Sequence, residues 1–236
     1  MPEHPRRSIA VLGGTGAEGS GLATRWAHAG HKVILGSRSA AKAQQAAAAL
    51  NARLGGAHAS AQVIGLDNRH ATAVAEIVVL AVPYSGQRAT IEEVREGLAG
   101  KILIDVTVPL IPPRVARVQL PEGGSAVEAI QKLLGSATRV VSAFQNVSAH
   151  YLSELDRKID CDVLVCGDDK DAREVAVQLA ADAGLRGVHA GVLANSAAAE
   201  ALTSALIAIN RYYKVPAAGI HITGVFGETQ IVSENK

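Results

Sequence analysis

The chain has 236 residues, 48% hydrophobic and 19% charged, with a formal net charge of +1. That composition supports a folded core and offers no basic face for nucleic acid. No apolar run approaches a membrane span, and the first residues lack the apolar stretch of a secretory signal, so a cytoplasmic protein is expected.

Ser8–Leu12 is a short apolar run that ends in glycines, which predicts a buried strand. A helix is expected over Ala17–Ala29, with Gly30 just past its end. Lys32–Leu35 predicts a second strand, Ala-rich Ala40–Leu54 a long helix, and Gln62–Gly65 a third strand. Ile77–Val82 is a fully apolar fourth strand, Gly86–Leu98 a helix, and Lys101–Val106 a fifth strand. Prolines between Pro109 and Pro121 exclude a regular central element there. Ser125–Leu134 predicts a helix and Arg139–Ala143 a sixth strand. This alternation predicts an α/β fold with a Rossmann-type doubly wound parallel sheet.

The pattern then changes. Asp162–Cys166 adds a strand, Asp169–Ala183 a helix capped by its leading aspartate, and Ala194–Tyr212 a last apolar helix. A boundary is expected near Ser142. Residues 1–142 would form the nucleotide-binding domain, with a smaller C-terminal α/β part, 143–236, packed on it. The apolar last helix needs a cover, and a homodimer would supply one. Cys161 and Cys166, five residues apart, would point to opposite faces of one strand, a poor geometry for a disulfide, so buried free thiols are expected. None of the eight histidines has metal-ligand spacing, so no metal is expected.

Between the first strand and its helix, Gly14, Gly16 and Gly19 satisfy G-x-G-x-x-G, with Thr15, Ala17 and Glu18 among them. Glycine lets the main chain turn tightly and approach a pyrophosphate, while the helix N-terminus offers free N–H groups and a positive dipole end. The motif alone is common; its place between strand and helix makes it specific.

An NAD site has Asp or Glu at the end of the second strand. Here the residues are Gly36, Ser37, Arg38 and Ser39, and no acid occurs between Glu18 and Asp67. Arg38 offers a bidentate fork and Ser37 a hydroxyl. Lys42 follows one helical turn later, and Thr15 adds a second hydroxyl. That set suits the ribose 2′-phosphate of NADP(H).

The run IAVLGGTGAEGSGLATRWAHAGHKVILGSRSAAKA resembles the F-420-dependent NADP reductases, as do VVLAVPYSG, DVTVPL, RVVSAFQNVSA, VCGDD and LANSAAAEALTSALIAINRYY. (F-420, a deazaflavin coenzyme, is written F420 in protein names.) The resemblance covers roughly residues 7–225. It implies hydride transfer between NADP(H) and coenzyme F-420, a step that needs no metal and no protein nucleophile. It further implies that Val82 and Pro83 lie near the nucleotide. Pro109, Val147 and the Pro216–Gly219 loop, which includes Ala218, would lie where the deazaflavin meets the nicotinamide. Archaeal members carry His-Thr-Ile-Pro-Ala where this chain has Gln145, Asn146, Val147, Ser148 and Ala149. The change leaves open a flavin, or a small carbonyl or imine, as hydride partner, and also a non-catalytic NADP(H) sensor.

Overall fold

A computed structural model describes residues 5–55 and 63–225. The strands are β1 (Ser8–Leu12), β2 (Lys32–Ser37), β3 (Ile64–Asp67), β4 (Ile77–Leu80), β5 (Ile102–Asp105), β6 (Arg139–Ser142), β7 (Asp162–Gly167) and β8 (Arg186–His189). The helices are α1 (Ala17–His28), α2 (Ala40–Leu54), α3 (Asn68–Val74), α4 (Tyr84–Val94), α5 (Ala126–Leu134), α6 (Lys170–Asp182) and α7 (Ser196–Tyr213). The strands form one sheet in the order β3-β2-β1-β4-β5-β6-β7-β8. All neighbours are parallel except β6 and β7, which run antiparallel.

Alternation along the strands loads both faces of the sheet. Ile9 and Val11 join one buried cluster with Leu22 and Trp26 of α1, Leu50 of α2 and Leu179 of α6. Ala10 and Leu12 join the other, with Ala71 of α3, Ile91 of α4 and Ile130 of α5. Each fully buried large aliphatic side chain stabilises the fold by about 1.5–3 kcal/mol. Trp26 donates its indole N–H to Leu179 O at 2.8 Å and meets the Phe144 ring edge-on at 5.8 Å. Phe144 itself takes a left-handed φ of +73°, a turn that directs the chain out of β6.

Arg25 of α1 is buried, away from any phosphate loop. Its Nε donates to Leu152 O at 2.8 Å, Nη1 to Ala183 O at 3.0 Å, and Nη2 to the carbonyls of Tyr151, Glu154 and Arg157. A buried guanidinium with its donors satisfied by carbonyls ties α1 to the segments after β6 and α6.

Several boundaries differ from the expected ones. The third strand runs later, over Ile64–Asp67, because its pairing with β2 continues to the level of Ser37. Gln62, placed in it from the sequence, lies outside the described residues, as do His4 and His58. Helix α3 is an addition, seven residues started by Asp67, whose side chain accepts from His70 N. Strand β8 is another; its four residues include Arg186 and His189, which mask the alternation. Asp169 caps α6 as expected, accepting from Ala172 N at 2.7 Å. The region from Pro109 to Pro121 contains no helix or strand. Cys161 and Cys166 are buried and unpaired.

Candidate functional site

The turn after β1 is shaped by its backbone. Gly13 has φ +83°, and a Cβ there would sit 2.3 Å from Ala81 O. Its N–H donates to Gly36 O at 3.2 Å, which ties the turn to the end of β2. A Cβ on Gly14 would meet the Leu35 side chain at 2.8 Å, and one on Gly19 would meet Gly13 O at 2.7 Å. Those glycines are demanded by the packing of strand, turn and helix.

Gly16 differs. It is the N-cap of α1 at an ordinary φ of −81°, and a Cβ there would meet nothing nearer than Gly13 O at 3.4 Å. The protein leaves that face open. Thr15, Gly16 and Ala17 are exposed around it, at the free N–H groups of a 12-residue helix. A cradle that a Cβ would begin to fill, facing an uncapped helix N-terminus, fits a dinucleotide pyrophosphate.

At the end of β2, Ser37 is half-buried and Arg38 exposed. Ser39 caps α2, accepting from Lys42 N at 3.5 Å, so Lys42 stands in the first turn with an exposed side chain. Neither the Arg38 guanidinium nor the Lys42 ammonium has an ion-pair partner among the described residues. The end of β2 and the start of α2 thus carry a hydroxyl and two uncommitted cations next to the glycine turn, which Gly13 N ties to Gly36 O.

Val82 and Pro83 follow β4, Val82 half-buried and Pro83 exposed, while Pro109 is buried in the loop after β5. The two loops are joined: Val106 N donates to Leu80 O at 3.1 Å, and Thr107 Oγ1 to Val82 O at 3.5 Å. After β6, Val147 is buried. Ser148 and Ala218 line one cavity of about 330 Å³ with Lys158 and Pro216, and Ser148 Oγ donates to Pro216 O at 3.5 Å. The segment around Val147 and the Pro216–Gly219 loop, distant in sequence, are therefore neighbours.

Between these two regions lies a buried polar group that the sequence reading missed. Asp105, the last residue of β5, is fully buried. Its Oδ1 accepts from Thr107 N at 2.9 Å and its Oδ2 from Gln87 Nε2 at 2.7 Å. Burial pushes its carboxyl up to about 6, against the pull of those hydrogen bonds. Gln145 Nε2 donates to the Asp105 carbonyl at 2.7 Å, while its Oε1 is buried with no partner. Glu200 of α7 accepts from Ala126 N at 2.8 Å, Val127 N at 3.2 Å and Ser125 Oγ at 2.7 Å, capping α5 from a distance. Burial raises its pKa. A signal for both was present: Asp105 ends an otherwise apolar strand, and Glu200 is the one acid of an apolar helix. Among the described residues no group of three or more His, Cys, Asp or Glu could hold a metal ion.

A doubly wound sheet with an open glycine turn after its first strand defines the dinucleotide-binding α/β class, of Rossmann type. A family model described as "NADP oxidoreductase coenzyme F420-dependent" matches residues 8–109. The protein named F420-dependent NADP reductase from Methanocaldococcus jannaschii is 41% identical over 221 residues, 92% of this chain and 98% of that one. Its namesake from Methanothermobacter thermautotrophicus is 42% identical over 222 residues, 92% of this chain and 95% of that one. A crystal structure from Arthrobacter sp. FB24, assigned by name only to the same reductases, superposes with a TM-score of 0.73 at 28% identity, covering 92% of this chain and 99% of that one. The chain belongs to the F420-dependent NADP reductase family.

Proposed function

We propose that this chain transfers a hydride between NADP(H) and coenzyme F-420. The observation that carries it is the 41–42% identity, over 92% of the chain, to reductases named for both cofactors. The relatives do not favour a flavin, a small carbonyl or imine, or a sensor without turnover.

In this proposal the turn formed by Gly14, Thr15, Gly16, Ala17, Glu18 and Gly19 holds the pyrophosphate. Ser37, Arg38 and Lys42, with Thr15, hold the 2′-phosphate. Val82 and Pro83 border the nicotinamide half, and Pro109, Val147 and Ala218 back the deazaflavin. No side chain acts as acid, base or nucleophile on the carbon atoms that exchange hydride. When bound, the two cofactors supply donor and acceptor. The chain binds them, orients them and excludes water. The unpartnered Arg38 and Lys42 and the open Gly16 support the NADP(H) assignment.

The division near Ser142 belongs to the same proposal. It is supported by the reversal of strand direction between β6 and β7. A homodimer is proposed from the last helix: Ile209, Tyr212 and Tyr213 are 40%, 80% and 68% exposed, an apolar end without cover. No helix among the described residues is long and apolar enough to cross a membrane. A cytoplasmic location is proposed, supported by the two unpaired cysteines.

The test is stopped-flow absorbance with oxidised F-420 and NADPH. Rapid loss of both in equal amounts is expected. Bound NADPH that F-420 fails to oxidise would overturn the hydride partner and leave the NADP site standing.

A further inference from the structure

Strand β7 runs antiparallel to β6, with Ser142 level with Cys166 and Val141 level with Gly167. The parallel strands end on the side where a doubly wound sheet receives its ligands. The reversed strand therefore begins on that side. Asp162, its first residue, lies four positions beyond the partner of Ser142.

Asp162 is buried. The parallel register sets Arg186, the first residue of β8, beside it. The guanidinium holds both carboxylate oxygens, Nε to Oδ1 at 2.5 Å and Nη2 to Oδ2 at 2.6 Å. Two segments far apart in sequence are fastened to this one residue. From the turn after β6, the buried Asn146 side chain donates to Asp162 O at 2.6 Å and accepts from Leu164 N at 3.3 Å. From the chain after α7, Ile222 N donates to Asp162 Oδ2 at 2.7 Å, and Ile220 O accepts from Asp162 N at 2.8 Å. Gly219 lies so close to this strand end that a Cβ on it would sit 2.8 Å from Cys161 Cβ. The other end of that loop is tied to α7, where Ala218 N donates to Asn210 Oδ1 at 2.7 Å.

The two fastened segments carry Val147 and Ala218, between which the proposed function sets the deazaflavin. Hydride transfer between two coenzymes asks the protein mainly to hold two rings in place, so the spacing of those walls matters. Walls ordered before the coenzyme arrives spare it the cost of ordering them. We propose that Asp162 is a positioning residue for the second coenzyme: its carboxylate fixes the loop that carries Ala218, and its carbonyl fixes the turn that carries Val147, on one rigid strand end. It acts through those walls. This rests on the F-420 reading above and adds to it a residue far in sequence from the glycine turn.

The test is steady-state kinetics with F-420, and NADPH titration, on the full chain and on Asp162→Asn and Gly219→Ala. The amide of Asp162→Asn can accept from Arg186 or from Ile222 N with its single oxygen, so the loop is loosened while the main-chain ties stay. The KM for F-420 should rise about tenfold, with kcat at saturating F-420 within about threefold and the Kd for NADPH within about twofold of the wild type. Gly219→Ala pushes the loop off β7 by its contact with Cys161 and leaves Asp162 in place; it should give the same split. It also decides the matter if Asp162→Asn fails to fold. An unchanged KM for F-420 in a folded variant, or NADPH and F-420 weakened together, overturns the proposal and leaves the F-420 reading intact. A wild type that binds NADPH and leaves F-420 unreduced overturns that reading and the proposal with it, a failure seen before any variant is made.

Discussion

Asp67 stands level with Ser37 across the parallel strands β2 and β3. An acid therefore borders the basic cluster, although none occurs in the sequence from Glu18 to Asp67. The Asp67 carboxyl is committed elsewhere: it accepts from the backbone and ring of His70, which hold its pKa low. Arg38 and Lys42 stay available for an anion.

Arg38→Ala should weaken NADPH binding about ten- to a hundredfold, the loss of one charge-assisted, bidentate contact. NADH binding should hardly change. Fluorescence titration with both nucleotides reads the difference, and equal losses would contradict a 2′-phosphate site.

The two kinds of glycine in the phosphate turn separate folding from binding. Gly16→Ala should change stability by less than about 1 kcal/mol, since its φ of −81° suits alanine and no atom lies closer than 3.4 Å. It should still weaken NADPH at least tenfold, because the new methyl enters the open cradle. Gly13→Ala should destabilise the fold by about 2 kcal/mol or more, through its positive φ and the clash with Ala81 O. Thermal melts beside nucleotide titrations would distinguish them.

Stability without ligand should fall as pH rises from about 4 to about 8. Glu18 and Asp105 have folded values of about 8 and 6, above their ordinary 4.5 and 3.8. The folded state therefore holds more protons, and the stability they contribute is fully present below the ordinary values and lost as pH rises through the folded ones. Urea unfolding at pH 5, 7 and 9 checks this. Asp105→Asn should flatten the lower part of the profile, since an amide oxygen can still accept from Thr107 N and nothing remains to titrate.

Ile209→Asp should convert the protein from dimer to monomer by light scattering, with its circular dichroism unchanged. The side chain is 40% exposed on α7, so a charge there costs little within one subunit. A wild-type protein that runs as a monomer would remove the dimer from the proposal.

The sequence displayed most of the sheet because its central strands are short apolar runs between glycine and helix signals. The glycine turn between β1 and α1 was legible for the same reason: spacing, strand and helix coincide within twelve residues of the start of β1. Strand β8 and helix α3 were hidden by charged or polar ends and by brevity; four and seven residues leave too little periodicity to detect. The group around Asp105 was hidden differently. Gln87 comes from α4, Asp105 from β5, Gln145 from the turn after β6 and Glu200 from α7, and only the pairing of β5 with β4 and β6 and the packing of the helices on them bring the four together. The adjacency of Asp67 and Ser37 was invisible in the same way, since register between strands is a tertiary property.

The five carbonyls gathered around Arg25 bear on how the molecule comes apart. If the chain were severed after Ser142, the Arg25 guanidinium would lose every acceptor it has, and Trp26 would lose both Leu179 and Phe144. Neither loss is tolerable for a marginally stable fold. The turn proposed to receive the nucleotide and the wall proposed to face the second coenzyme should therefore melt in a single cooperative transition, and ligands at either should raise the same melting temperature.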